Sequence, residues 1–191
     1  MNVLDEAIVF ATDAHSGQVR KMAFTPYILH PLEVASIIAT MTDDINTMAA
    51  GVLHDTVEDC GVDPKTIKEK FGARVAALVA SETEDRGSVT KTHSESWQER
   101  KEESLIILSL TKDKDVKILW LADKLSNMRS FYREYLKSGD DMFLALNQKD
   151  KSKQAWYYHT IIENMTELKD TAAYKEFTEL VKKIFDDKEA E

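Results

Sequence analysis

Apolar residues recur at three- and four-residue spacing along almost the whole chain, which predicts helices rather than strands. Val3, Leu4, Ala7, Ile8, Ala11 and Ala14 mark a first helix over residues 2–15, stopped near Gly17. Pro26 and Pro31 bracket Tyr27-Ile-Leu-His30, and Pro31 fits the first turn of a second helix carrying Leu32, Val34, Ala35, Ile37 and Ile38. After a Thr-Asp-Asp connection, Ile45, Met48, Ala49, Val52 and Leu53 predict a helix over residues 45–57. Asp63-Pro64 reads as an N-cap followed by a first-turn proline; Ile67, Phe71, Val75, Leu78 and Val79 mark the next helices, with Gly72 between them. Residues 84–95 are polar and without periodicity, a loop that holds His93, after which Ser94 or Ser96 opens a helix through Trp97, Arg100, Leu105 and Leu108. Val116, Leu119, Trp120, Ala122 and Leu125 predict a largely buried helix across residues 115–137. Two further patterns follow Gly139, one through Trp156, Ile161 and Leu168 and one through Tyr174, Phe177 and Ile184, and the charged tail after Phe185 is expected to fray.

Composition sharpens this picture. Only six glycines and three prolines interrupt the chain, which supports an all-α fold; we expect a single compact bundle of roughly eight to ten helices. A length of 191 residues suits one domain with a sizeable core and is short for two. The formal charge of -9 argues against a protein that coats nucleic acid or an anionic membrane, so any polyanionic ligand needs basic residues concentrated locally. Cys60 is the only cysteine, which excludes an intrachain disulfide and a thiolate metal cluster; it reads as an inert thiol rather than a nucleophile. No basic-then-apolar leader and no apolar run of about 18 residues is present, so the expected compartment is the cytoplasm. A homo-oligomer is left open.

The chemistry concentrates in Gly51-Val-Leu-His54-Asp55-Thr-Val-Glu58-Asp59. On a continuous helix His54 and Glu58 share one face and Asp55 and Asp59 the adjacent one, while His54 and Asp55 lean toward a common point. Imidazole nitrogen and carboxylate oxygen are the pair that first-row divalent ions accept, and Glu58 and Asp59 would stand beside such an ion without binding it. His30 sits at a helix start, where a fixed backbone can aim its ring; alone it would read as a capping or core histidine. Asp123, in the middle of a buried helix, is costly unless paired, protonated or metal-bound, a buried ion pair being the competing reading. Asn127 follows one turn later. Together His30, His54, Asp55 and Asp123 offer a mixed nitrogen–oxygen ligand set from three helical segments, preferring manganese or iron and leaving magnesium and zinc open. Arg20 and Lys21, adjacent cations in a polar loop, would by themselves be solvated. Lys153-Gln154-Ala-Trp156-Tyr157-Tyr158 reads as a helix start with core aromatics rather than a stacking wall.

The order His…His-Asp…Asp resembles the HD phosphohydrolase superfamily. His15-x-Gly-Gln-x-Arg20-Lys21, Thr25-Pro-Tyr27-x-x-His30-Pro31, His54-Asp-Thr-Val-Glu-Asp59, Phe71-Gly72 and Leu121-Ala-Asp-Lys-Leu-Ser-Asn-Met-Arg129 resemble, more narrowly, the hydrolase domain of the RelA/SpoT family across about residues 3–135. The resemblance implies one HD-type hydrolase domain over residues 1–191, with C-terminal helices 139–186 packing on the motif core and no synthetase region. It implies Mn²⁺ on His30, His54, Asp55 and Asp123, cytoplasmic stringent-response control, and removal of the 3′-pyrophosphate from guanosine tetra- or pentaphosphate. In that reading Glu58 orients or deprotonates the attacking water and Asp59 donates to the departing 3′-oxygen. Asn127 touches the ribose or its phosphate, and Arg20, Lys21, Lys124 and Arg129 offset substrate charge. Two other readings compete: an HD phosphatase or phosphodiesterase for another nucleotide such as NADPH, and a non-catalytic nucleotide-sensing module. The Arg20-Lys21 and Asn127 sets count against the first, and retention of all four ligands and both acids counts against the second.

Overall fold

The computed structural model describes residues 1–21, 24–83 and 96–186. Among these, nine α-helices and two short 3₁₀ turns account for nearly all regular structure, with a single bridge between Val19 and Pro26 in place of any strand. The all-α expectation holds. The 84–95 loop with His93 and Ser94, and the tail beyond Asp186, lie outside the described residues.

Packing divides the chain into two compact units, Met1–Thr83 with Asp113–Ser126, and Glu84–Lys112 with Asn127–Glu191. In the first, α1 (Val3–Ala14) and α2 (Leu29–Ile38) both pack on α3 (Ile45–Leu53). A short α4 (Thr56–Cys60) follows, then α5 (Pro64–Glu82), and the first half of α7 (Lys114–Ser138) completes the unit. Asn2 caps α1 in a reciprocal capping box with Asp5, a start signal that the apolar pattern alone did not expose. Asp63 caps α5 ahead of Pro64 as expected. Gly72 interrupts α5 at φ 88° and ψ 170°, backbone that only glycine adopts without strain, so the two apolar patterns belong to two helical pieces. Arg74 clamps Asp113 and Asp115 and so fixes the start of α7 against α5.

The largest departure is at the end of α3. The expected helix over residues 45–57 stops at Leu53 and restarts at Thr56. Two side chains bond the backbone at the break: the His54 ring donates from Nδ1 to the Gly51 carbonyl (2.9 Å), and Thr56 Oγ1 donates to the Leu53 carbonyl (2.7 Å). Carbonyls that a continuing helix would use are thereby satisfied locally. His54 and Glu58 therefore do not sit one turn apart on one helix. Gly51 also permits the close approach of α3 and α2, since a Cβ there would collide with Ile38 and crowd Val34.

Because α3 delivers the His54 turn, its N-terminus matters. Asp44 caps it, accepting from the Asn46 and Thr47 amides and the Thr47 hydroxyl. The Thr47 hydroxyl bond, helped by the amides, holds the Asp44 carboxyl below its usual range against some burial. Asp44→Ala is expected to destabilise by about 1 kcal/mol at neutral pH. A depressed folded pKa means the contribution is complete above the unfolded carboxylate pKa of about 3.9 and fades as pH falls through the folded value. Denaturant melts of both proteins between neutral and acid pH should therefore converge on the acid side; a pH-independent gap would contradict the cap.

The second unit holds α6 (Trp97–Leu110), the second half of α7, a 3₁₀ stretch Gly139–Ala145, α8 (Lys151–Asn164) and α9 (Ala172–Phe185). Its core is aromatic: Trp97 meets Tyr157 edge-on, and Tyr158 lies against Phe131, Phe177 and Phe185. Tyr157 and Tyr158 are buried, as the core reading of the Lys153–Tyr158 stretch requires, while Trp156 is 37% exposed.

Candidate metal centre

Three segments of the first unit converge on one point. His30 stands in the first turn of α2, His54 and Asp55 form the turn between α3 and α4, and Asp123 lies in α7. His54 Nε2 is 3.0 Å from Asp55 Oδ2 and 3.5 Å from Asp123 Oδ1; His30 Nε2 is 3.1 Å from Asp123 Oδ1 and 3.6 Å from Asp55 Oδ2. Both histidines and Asp123 are buried, and the Asp55 side chain is 20% exposed.

The far nitrogens decide which face each imidazole offers. His54 Nδ1 donates to the Gly51 carbonyl. His30 Nδ1 lies 2.8 Å from Ser126 Oγ, whose own proton goes to Glu33 Oε2 at 2.6 Å, so the ring nitrogen is the donor in that bond. With Nδ1 as the donor, each ring turns Nε2 to the carboxylates, and a ring in its neutral form offers its lone pair there, the form that binds metal. His54 Nε2 is buried and has no hydrogen-bond partner. Ligands about 2.1 Å from an ion and at right angles to one another stand roughly 3 Å apart, which matches this spacing. The ligand atoms of His30, His54 and Asp55 all lie within 4.8 Å of one another. These residues fit a divalent cation.

The electrostatics agree. Burial weighs most on every member. It pushes His30 down. At His54 it is outweighed by Asp55 and Asp123, which push that ring well up. Burial also opposes ionisation of the aspartates, yet His54 and His30 hold Asp55 low, and Lys124 with both histidines holds Asp123 low. Two ionised carboxylates in a nearly closed site attract a positive charge, whether proton or metal.

The remaining expected residues are placed as follows. Asp59 is exposed on α4, and its Oδ2 accepts from the Tyr27 hydroxyl at 3.0 Å; Glu58 beside it is half-buried. Arg20 is half-buried with its guanidinium carbon 5.6 Å from the Tyr27 ring centroid, and Lys21 is exposed. Lys124 has partners inside the protein: its ammonium meets Asp123 and Glu82 and lies over the Trp120 ring. The competing buried Asp–Lys pair is therefore present, on the Asp123 oxygen other than the one that faces the two histidines. In the second unit Asn127 is half-buried, and Arg129 makes a two-pronged pair with Glu176 at 2.6 and 2.7 Å.

Sequence reasoning passed over four participants. Ser126 and Glu33 back His30, and Glu82, 4% exposed with its carboxyl raised to about 7 chiefly by burial, backs Lys124. The fourth is His15, whose Nδ1 lies 3.2 Å from Cys60 Sγ and 2.8 Å from Gln18 Oε1. Cys60 thus has an imidazole neighbour after all, although burial pushes its thiol up, in keeping with an unreactive group.

A family model described as an HD domain matches residues 7–149. The chain belongs to the HD domain family. Over 135 residues, 68% of its length, this HD domain is 36% identical to the guanosine-3′,5′-bis(diphosphate) 3′-pyrophosphohydrolase of Vibrio cholerae. It is 39% identical over 124 residues to the protein of the same name from Haemophilus influenzae, and 36% identical over 130 residues to a probable GTP pyrophosphokinase of Mycobacterium leprae. The HD domain spans 18%, 18% and 16% of those proteins. Among solved structures, a Listeria monocytogenes protein superposes with a TM-score of 0.71 at 31% identity, covering 83% of this chain and 99% of that one. A metazoan ortholog of SpoT, described as hydrolysing ppGpp, shares the fold with a TM-score of 0.75 at 24% identity over 96% of both chains. No helix among the described residues is long and apolar enough to cross a membrane.

Proposed function

We propose that this HD domain is a manganese-dependent hydrolase that removes the 3′-pyrophosphate from guanosine tetraphosphate and pentaphosphate, yielding GDP or GTP and pyrophosphate. What carries this reading is the convergence of the His30 and His54 Nε2 atoms on Asp55 and Asp123, in a chain whose relatives include proteins named for that reaction. Two imidazole nitrogens and two carboxylate oxygens, without a thiolate, favour manganese or iron among first-row ions. A bound ion supplies Lewis acidity at a phosphoryl oxygen and makes water a nucleophile near neutral pH.

The chain's own residues do the rest in this proposal. Glu58 takes a proton from the attacking water, which forms the new bond to phosphorus. Asp59 delivers a proton to the ribose 3′-oxygen as its bond to phosphorus breaks. His30 and His54 present Nε2 to the centre because Ser126 and the Gly51 carbonyl take their Nδ1 protons. Arg20 and Lys21 meet the substrate's negative charge. Lys124 acts through Asp123 and Glu82, and Arg129 has its guanidinium on Glu176. A few focused cations reconcile a chain of net charge -9 with a polyanionic substrate. Residues 1–191 act as one hydrolase domain, in the cytoplasm.

A panel of guanosine tetraphosphate, guanosine pentaphosphate, NADPH and a cyclic dinucleotide, incubated with manganese-loaded protein and resolved by ion exchange, tests this. GDP and pyrophosphate from the tetraphosphate are expected. Turnover of NADPH or the dinucleotide alone would replace the substrate, and tight binding without turnover would make the domain a sensor.

A further inference from the structure

We propose that Tyr27 is a positioning residue: its hydroxyl, held between Asp55 and Asp59, sets the proton-delivering carboxylate relative to the metal-binding one. The oxygen lies 2.8 Å from Asp55 Oδ2 and 3.0 Å from Asp59 Oδ2, and a phenol brings one proton to those two acceptors. The same Asp55 oxygen faces both histidines, so Tyr27 touches the centre from behind a ligand atom. Asp59 is exposed on a five-residue helix, where an unbraced carboxylate would sample several rotamers.

The hydroxyl itself is well fixed. The Tyr27 ring stacks on His15 at 4.9 Å and 25°, and meets the His30 ring edge-on at 5.9 Å. His15 is in turn placed by Gln18 and Cys60, and Gln18 also donates to the Asp59 carbonyl. The Tyr27 amide bonds the Gln18 carbonyl, and its own carbonyl accepts from the His30 amide, so one turn of chain carries both the ligand and the brace. A rigid donor behind a ligand is the arrangement by which supporting residues tune metal sites.

This assignment rests on the proposed role of Asp59, and its test separates the two. Tyr27→Phe keeps the ring stack and removes only the hydroxyl, so its thermal midpoint should stay near that of the parent, whereas Tyr27→Leu should lower it. Calorimetric titration of metal-free protein with Mn²⁺ should show about tenfold weaker binding for Tyr27→Phe. At saturating Mn²⁺, kcat on guanosine tetraphosphate should fall about 10- to 100-fold with KM within about twofold, a split that a packing role would not produce. Unchanged Mn²⁺ affinity overturns the contact to Asp55, and unchanged kcat overturns the positioning of Asp59. If the parent protein does not hydrolyse the tetraphosphate, the proposed function fails, while the Mn²⁺ titration still decides the Tyr27 contact.

Discussion

Asp59→Asn should reduce turnover by at least about 100-fold, the lower end of what a positioned acid or base contributes, while leaving folding and metal content nearly intact. The physical reason is a division of labour visible in the geometry. Asp59 is exposed and is not among the four side chains that converge, so removing its charge takes no ligand from the centre. Asparagine keeps an oxygen that can accept from Tyr27, so the brace has a partner in the variant. Activity, metal stoichiometry and thermal midpoint measured on one preparation check this. A variant retaining more than about a tenth of the parent rate would remove Asp59 from the chemistry.

His54→Ala should behave in the opposite way and lose metal and activity together. The His54 Nε2 atom is buried without a hydrogen-bond partner, and the backbone carbonyl of Gly51 fixes the ring from the other side. Losing a ligand should exceed the effect of losing a supporting bond, so Mn²⁺ affinity should fall by more than about 100-fold. The substitution also leaves the Gly51 carbonyl without its side-chain donor, at about 1–3 kcal/mol. Metal analysis after dialysis, beside circular dichroism, separates the two effects. A folded, metal-replete and fully active His54→Ala protein would sink the ligand assignment.

Much of the fold was legible because apolar periodicity and local caps pointed the same way. Asp63-Pro64 started α5, Pro31 fell in the first turn of α2, and Gly72 divided the two pieces of α5 as expected. The end of α3 was not legible. Nothing in the apolar pattern separates a helix running through His54 from one that stops at Leu53, where the His54 and Thr56 side chains bond carbonyls three residues back. The convergence of His30, His54, Asp55 and Asp123 survived that error, because it depends on three segments meeting and not on one helix face.

The supporting residues were harder to read. Ser126, Glu33 and Glu82 are ordinary polar positions until the fold brings Ser126 to His30, Glu33 to Ser126, and Glu82 to Lys124. Tyr27 sits inside the Thr25–Pro31 motif, yet its role needs Asp59, 32 positions on. Lys124 shows the converse: a cation beside a ligand suggested a substrate contact, and the structure gives it Glu82 and Asp123.

The most direct single measurement is guanosine tetraphosphate hydrolysis by the full chain before chelation, after chelation, and after readdition of Mn²⁺, with products separated by ion exchange. Equimolar GDP and pyrophosphate, lost with the metal and restored by it, is the expected result. Absence of those products from a folded, manganese-loaded protein would contradict the proposed function.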